Sequence, residues 1–427
     1  PNEISTDNSP IVFRPEQREA IDQAKRKFKK SRQFLWNAKM RFGKTLSALQ
    51  LVKEYPFDRT LIFTHRPAVD DSWFEDFSKI FYDTPNYQYG SKQQGECFEN
   101  LEKQHAKDGM HFVYFASMQD LRGSELVGGN FAKNQELFSI DWDLLIIDEA
   151  HEGTKTELGE AVLKELTKAN TKILRLSGTS YNLLDDHKED EVFTWDYVME
   201  QRAKQEWERT HWGDPNPYAD LPRLNIYTYD LGMELKKYQD DSAFNFKEFF
   251  RVGADDKFLH EADVDRFLDL LATQGKHDYP YSKLEWRQNF RHTLWAVPGV
   301  KEARLLSEKL RNHPVLSIYD IVNVAGNGDE DCDYGNKKAL DMVKEAIGKC
   351  TFGTITLSCG RLTTGVSVEE WTAVFMLSGS HSTSASSYMQ TIFRVQTPAN
   401  IDGKRKEECF VFDFAPDRTL KVLAETA

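Results

Sequence analysis

The sequence predicts an α/β chain of two parallel-sheet lobes joined by a mostly helical connector or insertion. Short apolar runs alternate with helical patterns in two separate stretches. The runs read as strands buried on both faces, which is how parallel sheets covered by helices look in sequence. The 427 residues exceed what one compact core usually holds, so two domains, with or without a smaller insertion, are expected.

Residues 1–231 form the expected first lobe. Its strands are Gln33–Trp36, Thr60–Thr64, Phe112–Phe115, Leu144–Ile147 and Ile173–Leu176, and Arg223–Tyr229 is expected to close it. From about Gly232 to Asn289 the chain turns charged and aromatic-rich, with helical periodicity in Glu261–Thr273; this is the expected connector, 232–289. Residues 290–427 form the expected second lobe, with strands at Thr293–Val297, Ile321–Val324, Thr354–Ser358, Ala373–Leu377 and Cys409–Phe414, and a helix at Lys301–Arg311. Neither an internal repeat nor a low-complexity tract interrupts this plan.

Composition excludes some classes. A mean hydropathy of −0.60 comes with no apolar run near the ~20 residues that span a bilayer. Pro1-Asn2-Glu3-Ile4 has no basic segment followed by an apolar one, so no secretory signal is read. The missing initiator Met leads us to expect a processed chain or an excised fragment. Cys97, Cys332, Cys350, Cys359 and Cys409 are scattered and never spaced C-x-x-C, which argues against a zinc site or disulfide framework and fits a reducing cytoplasm. A net charge of −13 argues against bulk adhesion to nucleic acid but leaves room for a local basic groove.

Leu35 to Ala48 runs strand, loop, helix, and its loop Ala38-Lys39-Met40-Arg41-Phe42-Gly43-Lys44-Thr45 ends in Gly-Lys-Thr. That reads as a phosphate-binding loop, in which backbone N–H groups at the helix start would cradle phosphates, Lys44 would reach the β- and γ-phosphates of ATP and the Thr45 hydroxyl would bind Mg²⁺; taken alone, a plain helix start carrying a lysine is the other reading. The match departs from the full pattern at Ala38, where glycine is wanted, and at Arg41, where glycine is common. Asp143 to His151 places Asp148 and Glu149 at the C-terminal end of a strand, the end where open parallel sheets bind ligands. Asp148 suits Mg²⁺, and Glu149 suits polarisation of an attacking water.

With Asp-Glu-Ala-His at 148–151, the chain resembles superfamily 2 helicases and translocases of the DEAH form. Further segments follow in the family's order. Phe13-Arg14-Pro15-Glu16-Gln17 looks like the adenine-reading Q-type motif, with Gln17 and Arg14 on the nucleotide. Thr64-His65-Arg66-Pro67 looks like motif Ia, which touches the nucleic-acid backbone through His65 and Arg66. Ser177-Gly178-Thr179 looks like motif III. Thr363-Thr364-Gly365-Val366 looks like motif V, with Thr363 and Thr364 on nucleic acid and Gly365 on nucleotide. Gln390 to Arg394 looks like motif VI, by which a second RecA-like lobe completes the ATP site. The loop wording, the Ser117-Met118-Gln119-Asp120-Leu121 segment (Gln119 on nucleic acid) and Phe393-Arg394-Val395-Gln396 narrow the resemblance to motors of type I- and type III-like restriction–modification or phage-defence systems. That implies a double-stranded-DNA translocase whose nuclease, methyltransferase and target-recognition parts lie outside this fragment or on other subunits.

Phe393 and Thr397 depart from motif VI, where glycine and a second arginine are usual, and Ser367 stands where motif V often has Asp. An arginine finger is worth about 10³–10⁵ in rate, so Arg394 serves alone or Arg361 substitutes. Two other functions stay open: an enzyme acting on RNA or separating strands, and a nucleotide-switched DNA-binding scaffold with weak ATPase activity. His151 reads equally as a link to motif VI or as a structural hydrogen bond, and Trp73 as core more than nucleic-acid contact. The basic run Lys25–Arg32 reads as a solvated helix face. Asp220 with Glu234-Leu235-Lys236 resembles a nuclease metal site only loosely, and chance is the better reading.

Overall fold

The computed structural model describes residues 11–55, 57–64, 69–121, 124, 134–149, 157–178, 183–231, 235, 238, 244–275, 278–326, 336–360, 368–378, 385–401 and 403–419. The chain divides into two compact units, Pro1–Gln205 and Glu206–Ala427.

In the first unit, strands β1 (Gln33–Ala38), β2 (Arg59–Thr64), β3 (Tyr87–Gly90), β4 (His111–Ser117), β5 (Leu144–Asp148), β6 (Lys172–Ser177) and β7 (Val192–Trp195) form one sheet in the order β3-β4-β2-β5-β6-β1-β7. Every pairing is parallel. Helices α1 (Pro15–Lys27), α2 (Lys44–Glu54), α3 (Asp70–Ile80), α4 (Phe98–Asp108), α5 (Met118–Leu121), α6 (Gln135–Ser139), α7 (Glu157–Leu166) and α8 (Tyr197–Thr210) connect or follow the strands. The pleat explains the double cover: Phe34 and Trp36 enter one apolar cluster, and Leu35 between them enters the other. Of the basic run, Lys25, Arg26 and Lys27 lie in the last turn of α1, pairing with Glu54, Glu19 and Asp190, and Lys29, Lys30 and Arg32 lie beyond the helix end.

The second unit contains β8 (Arg223–Thr228), β9 (His292–Ala296), β10 (Asp320–Asn323), β11 (Thr354–Ser358), β12 (Ala373–Met376), the short antiparallel pair β13 (Asn400–Ile401) and β14 (Lys404–Arg405), and β15 (Glu408–Asp413). Its main sheet is again all parallel, in the order β10-β11-β9-β12-β15-β8. Its helices are α9 (Phe246–Phe249), α10 (Glu261–Ala272), α11 (Leu284–Asn289), α12 (Val300–Asn312), α13 (Asn336–Lys349) and α14 (Ala385–Ile392). The α/β class with two parallel sheets is as the sequence predicts.

Two placements differ from expectation. The run Arg223–Tyr229 does not close the first sheet; β8 pairs with β15 in the second, where Arg223 meets Glu408, 185 positions along the chain. An apolar run announces a strand but not its partner, and here the partner comes last in the chain. Nor do the described residues of 232–289 stand apart as a connector or insertion. Tyr281 stacks flat on Phe375 of β12 (5.2 Å, 7°), and Phe267 of α10 meets Phe414 edge-on at 5.4 Å. The aromatic residues that distinguish this stretch in sequence are thus the apolar layer on one face of the second sheet.

Candidate nucleotide site

Three strand ends of the first unit build the site. β1 ends at Ala38, held in register with Trp195 of β7, and its methyl is fully buried in the core. The backbone is extended there, so alanine replaces the usual glycine without strain. At Arg41 the chain takes φ 69°, the left-handed region that glycine enters freely. Gly43 follows at φ 87° and starts α2. A Cβ on Gly43 would come within 2.5 Å of Gln17 Nε2, so a side chain there would strain the backbone and displace the Gln17 amide from the Phe42 carbonyl.

Gln17 and Arg14 brace this loop from outside. Gln17 Nε2 donates to the Phe42 carbonyl at 2.7 Å, Arg14 Nη2 to the same carbonyl at 2.8 Å, and the Arg14 backbone N–H to Gln17 Oε1 at 2.8 Å. Lys39 carries a second brace: its buried ammonium pairs with both Glu200 oxygens, at 2.8 and 3.0 Å, and its N–H donates to the Trp195 carbonyl at 2.8 Å. Burial lowers the Lys39 pKa, against the opposing pull of Glu200. The Lys39 side chain therefore fixes the loop to α8, and its backbone belongs to the loop itself.

Lys44 opens α2 and folds back over the loop, donating to the Ala38 carbonyl at 2.8 Å. Burial lowers its pKa, while Glu149 and Asp148 draw it back up. Gly178, beyond β6, lies beneath: a Cβ there would sit 3.5 Å from Lys44 Nζ and 3.6 Å from Met40 Cγ. Thr45 follows in the first turn of α2, whose free N–H groups and dipole favour an anion.

At the end of β5, Asp148 Oδ1 accepts the Glu149 N–H at 3.0 Å, and Oδ2 accepts Trp73 Nε1–H at 3.2 Å. Burial, then the charge of Glu149, raises the Asp148 pKa, with Lys44 opposing. Two successive carboxylates at a partly buried strand end form a donor set that a divalent cation would neutralise. Glu149 adopts φ 50°, a strained setting for a glutamate and one that recurs at functional positions. The residues fit Mg·ATP: an anion seat at α2, a hydroxyl at Thr45 and hard oxygen donors at Asp148.

The sequence-predicted residues Arg14, Gln17, Ala38 to Thr45, Asp148 and Glu149 are therefore gathered in one unit. Trp73 is core, as read, but its bond to Asp148 was not foreseen, and neither was Glu200; nothing local in the sequence marks either. In the second unit Gln390 lies on α14 and Arg394 in the turn that follows; both are buried. His65, Arg66, His151, Thr179, Glu234, Lys236, Arg361, Thr363, Thr364 and Gly365 lie outside the described residues, as does the side chain of Gln119. Asp220 pairs with Arg405 at 3.2 Å. Among the described residues no helix is long and apolar enough to cross a membrane.

Residues 10–182 match the family model described as the type III restriction enzyme, res subunit. A Mycoplasma pneumoniae protein, described as the C-terminus of a type II restriction enzyme and methyltransferase, is 27% identical over 92% of this chain and 62% of its own length. Among solved structures, the ATP-dependent type ISP restriction–modification enzyme LlaBIII bound to DNA shares the fold, with a TM-score of 0.59 at 14% identity, over 98% of this chain and 30% of that one. The chain thus spans less than two thirds of either relative.

Proposed function

We propose that the chain is an ATP-hydrolysing motor moving on double-stranded DNA within a restriction or phage-defence enzyme, a reading supported by the match of residues 10–182 to type III restriction enzyme res subunits. The observation that carries this reading is the convergence of Lys44, Asp148 and Glu149 at the C-terminal ends of the first sheet's strands, around a helix start where Gly43 holds a left-handed backbone. The DNA-bound type ISP enzyme of the same fold, and the restriction–modification character of both relatives, support duplex DNA as the track.

In this reading Lys44 and the α2 N-terminus hold the β- and γ-phosphates of ATP, Thr45 and Asp148 hold Mg²⁺, and Glu149 orients and deprotonates the attacking water. Bound Mg²⁺ supplies charge neutralisation between the phosphates. Gln17 and Arg14 tie the loop to α1, where the nucleotide base is read. Arg394 and Gln390 are the residues we assign from the second unit.

The test is the ATPase rate with no polymer, duplex DNA, single-stranded DNA or RNA. Stimulation by duplex DNA alone is expected, followed by triplex displacement without strand separation. RNA stimulation would move the chain to the RNA enzymes, and negligible turnover throughout would make it a nucleotide-switched scaffold. Lys44→Ala should abolish hydrolysis. Glu149→Gln should retain ATP binding and lose about 10²–10⁴ in turnover, the usual worth of a positioned base. Normal hydrolysis by either variant would sink the assignment.

A further inference from the structure

Trp73 is fully packed, at 1% exposed, yet its indole N–H is not spent on a neighbouring carbonyl. It donates to Oδ2 of Asp148, while the Glu149 backbone N–H takes Oδ1. We propose that Trp73 is a positioning residue that sets the Asp148 carboxylate for Mg²⁺; this rests on the nucleotide-site reading above.

The ring cannot turn to another acceptor. α3 buries Asp70, Trp73, Phe77 and Ile80, spaced three and four apart on one face. Its first turn is pinned where Asp70 accepts Tyr89 Oη–H at 2.7 Å and Ser91 Oγ–H at 2.6 Å. Phenylalanine or leucine would fill an apolar pocket as well; what tryptophan adds is one directed donor. A carboxylate oxygen has two lone pairs, so each Asp148 oxygen keeps one for a cation after its bond is made. With the backbone on one oxygen and the indole on the other, the carboxylate plane is fixed before metal arrives. Partners of this kind behind a metal ligand are typically worth 10–100-fold in metal affinity.

The test is calorimetric titration of a non-hydrolysable ATP analogue at a series of Mg²⁺ concentrations, in the full chain and in Trp73→Phe. The half-saturating Mg²⁺ should rise about tenfold, while binding of the Mg-free nucleotide and the melting temperature stay near those of the parent chain. An unchanged Mg²⁺ midpoint overturns the inference and leaves the nucleotide site standing. Equal loss of binding with and without Mg²⁺ also overturns it, because Trp73 would then act through packing alone. A parent chain that binds no nucleotide in any Mg²⁺ overturns both readings. Should Trp73→Phe fail to fold, benzothienylalanine at position 73 keeps the ring, removes the N–H and is read in the same way.

Discussion

Arg41 holds a left-handed backbone between Met40 and Phe42, at φ 69°. An L-residue there gives up about 1–2 kcal/mol against glycine, part of which glycine returns as chain entropy. Arg41→Gly should therefore fold at least as stably as the parent, by up to about 1 kcal/mol, whereas Arg41→Ile should destabilise because its branched Cβ meets the carbonyl. Urea unfolding of the two variants checks this, and a glycine variant as unstable as the isoleucine one would contradict the conformational argument. In sequence, Ala38 and Arg41 are the same kind of departure, each a non-glycine where glycine is usual. Only backbone geometry separates them: Ala38 completes a strand with its methyl in the core, and Arg41 makes the turn.

At the scale of elements, the phosphate loop is strapped to α8 by a buried ion pair between Lys39 and Glu200. Removing one partner takes the close counter-charge from the other in a dry interior, at about 3–5 kcal/mol, whereas replacing both with apolar residues of similar volume is often neutral or stabilising. Glu200→Leu alone should destabilise by that amount, and adding Lys39→Met should recover most of it in urea melts. Independent, additive losses would mean that the pair is not one unit. The strand runs themselves were legible in sequence because β1, β2, β4, β5 and β6 are continuous apolar segments. β3 and β7 were not, being four-residue edge strands with too little pattern to read. The sheet to which β8 belongs was hidden for another reason: pairing partners are set by tertiary contact, and Glu408–Asp413 lies at the far end of the chain. The nucleotide loop and the Asp148–Glu149 pair were legible because their chemistry is local, whereas Trp73 and Glu200 reach the site only through folding.

For the whole molecule, the division at Gln205 places the phosphate loop, the Asp148–Glu149 pair and their braces in the first unit. That unit has its own seven-stranded sheet, covered on both faces by separate apolar clusters. A fragment ending at Thr210, which keeps Glu200 and the rest of α8, should then fold cooperatively by itself. By calorimetry it should bind Mg·nucleotide, because Lys44, Thr45, Asp148 and their braces all travel with it. On the proposed reading it should not show hydrolysis stimulated by duplex DNA, since Gln390 and Arg394, assigned to the chemistry there, belong to the second unit. Arg394→Ala in the full chain should reproduce that phenotype, with binding retained and the stimulated rate lost by about 10³ or more if this arginine serves alone. A fragment that hydrolyses ATP as fast as the full chain would remove the second unit from the chemistry and leave it a role in movement only. A fragment that folds but binds no nucleotide would show that the first unit's site, for all its internal bracing, is unfinished without the second.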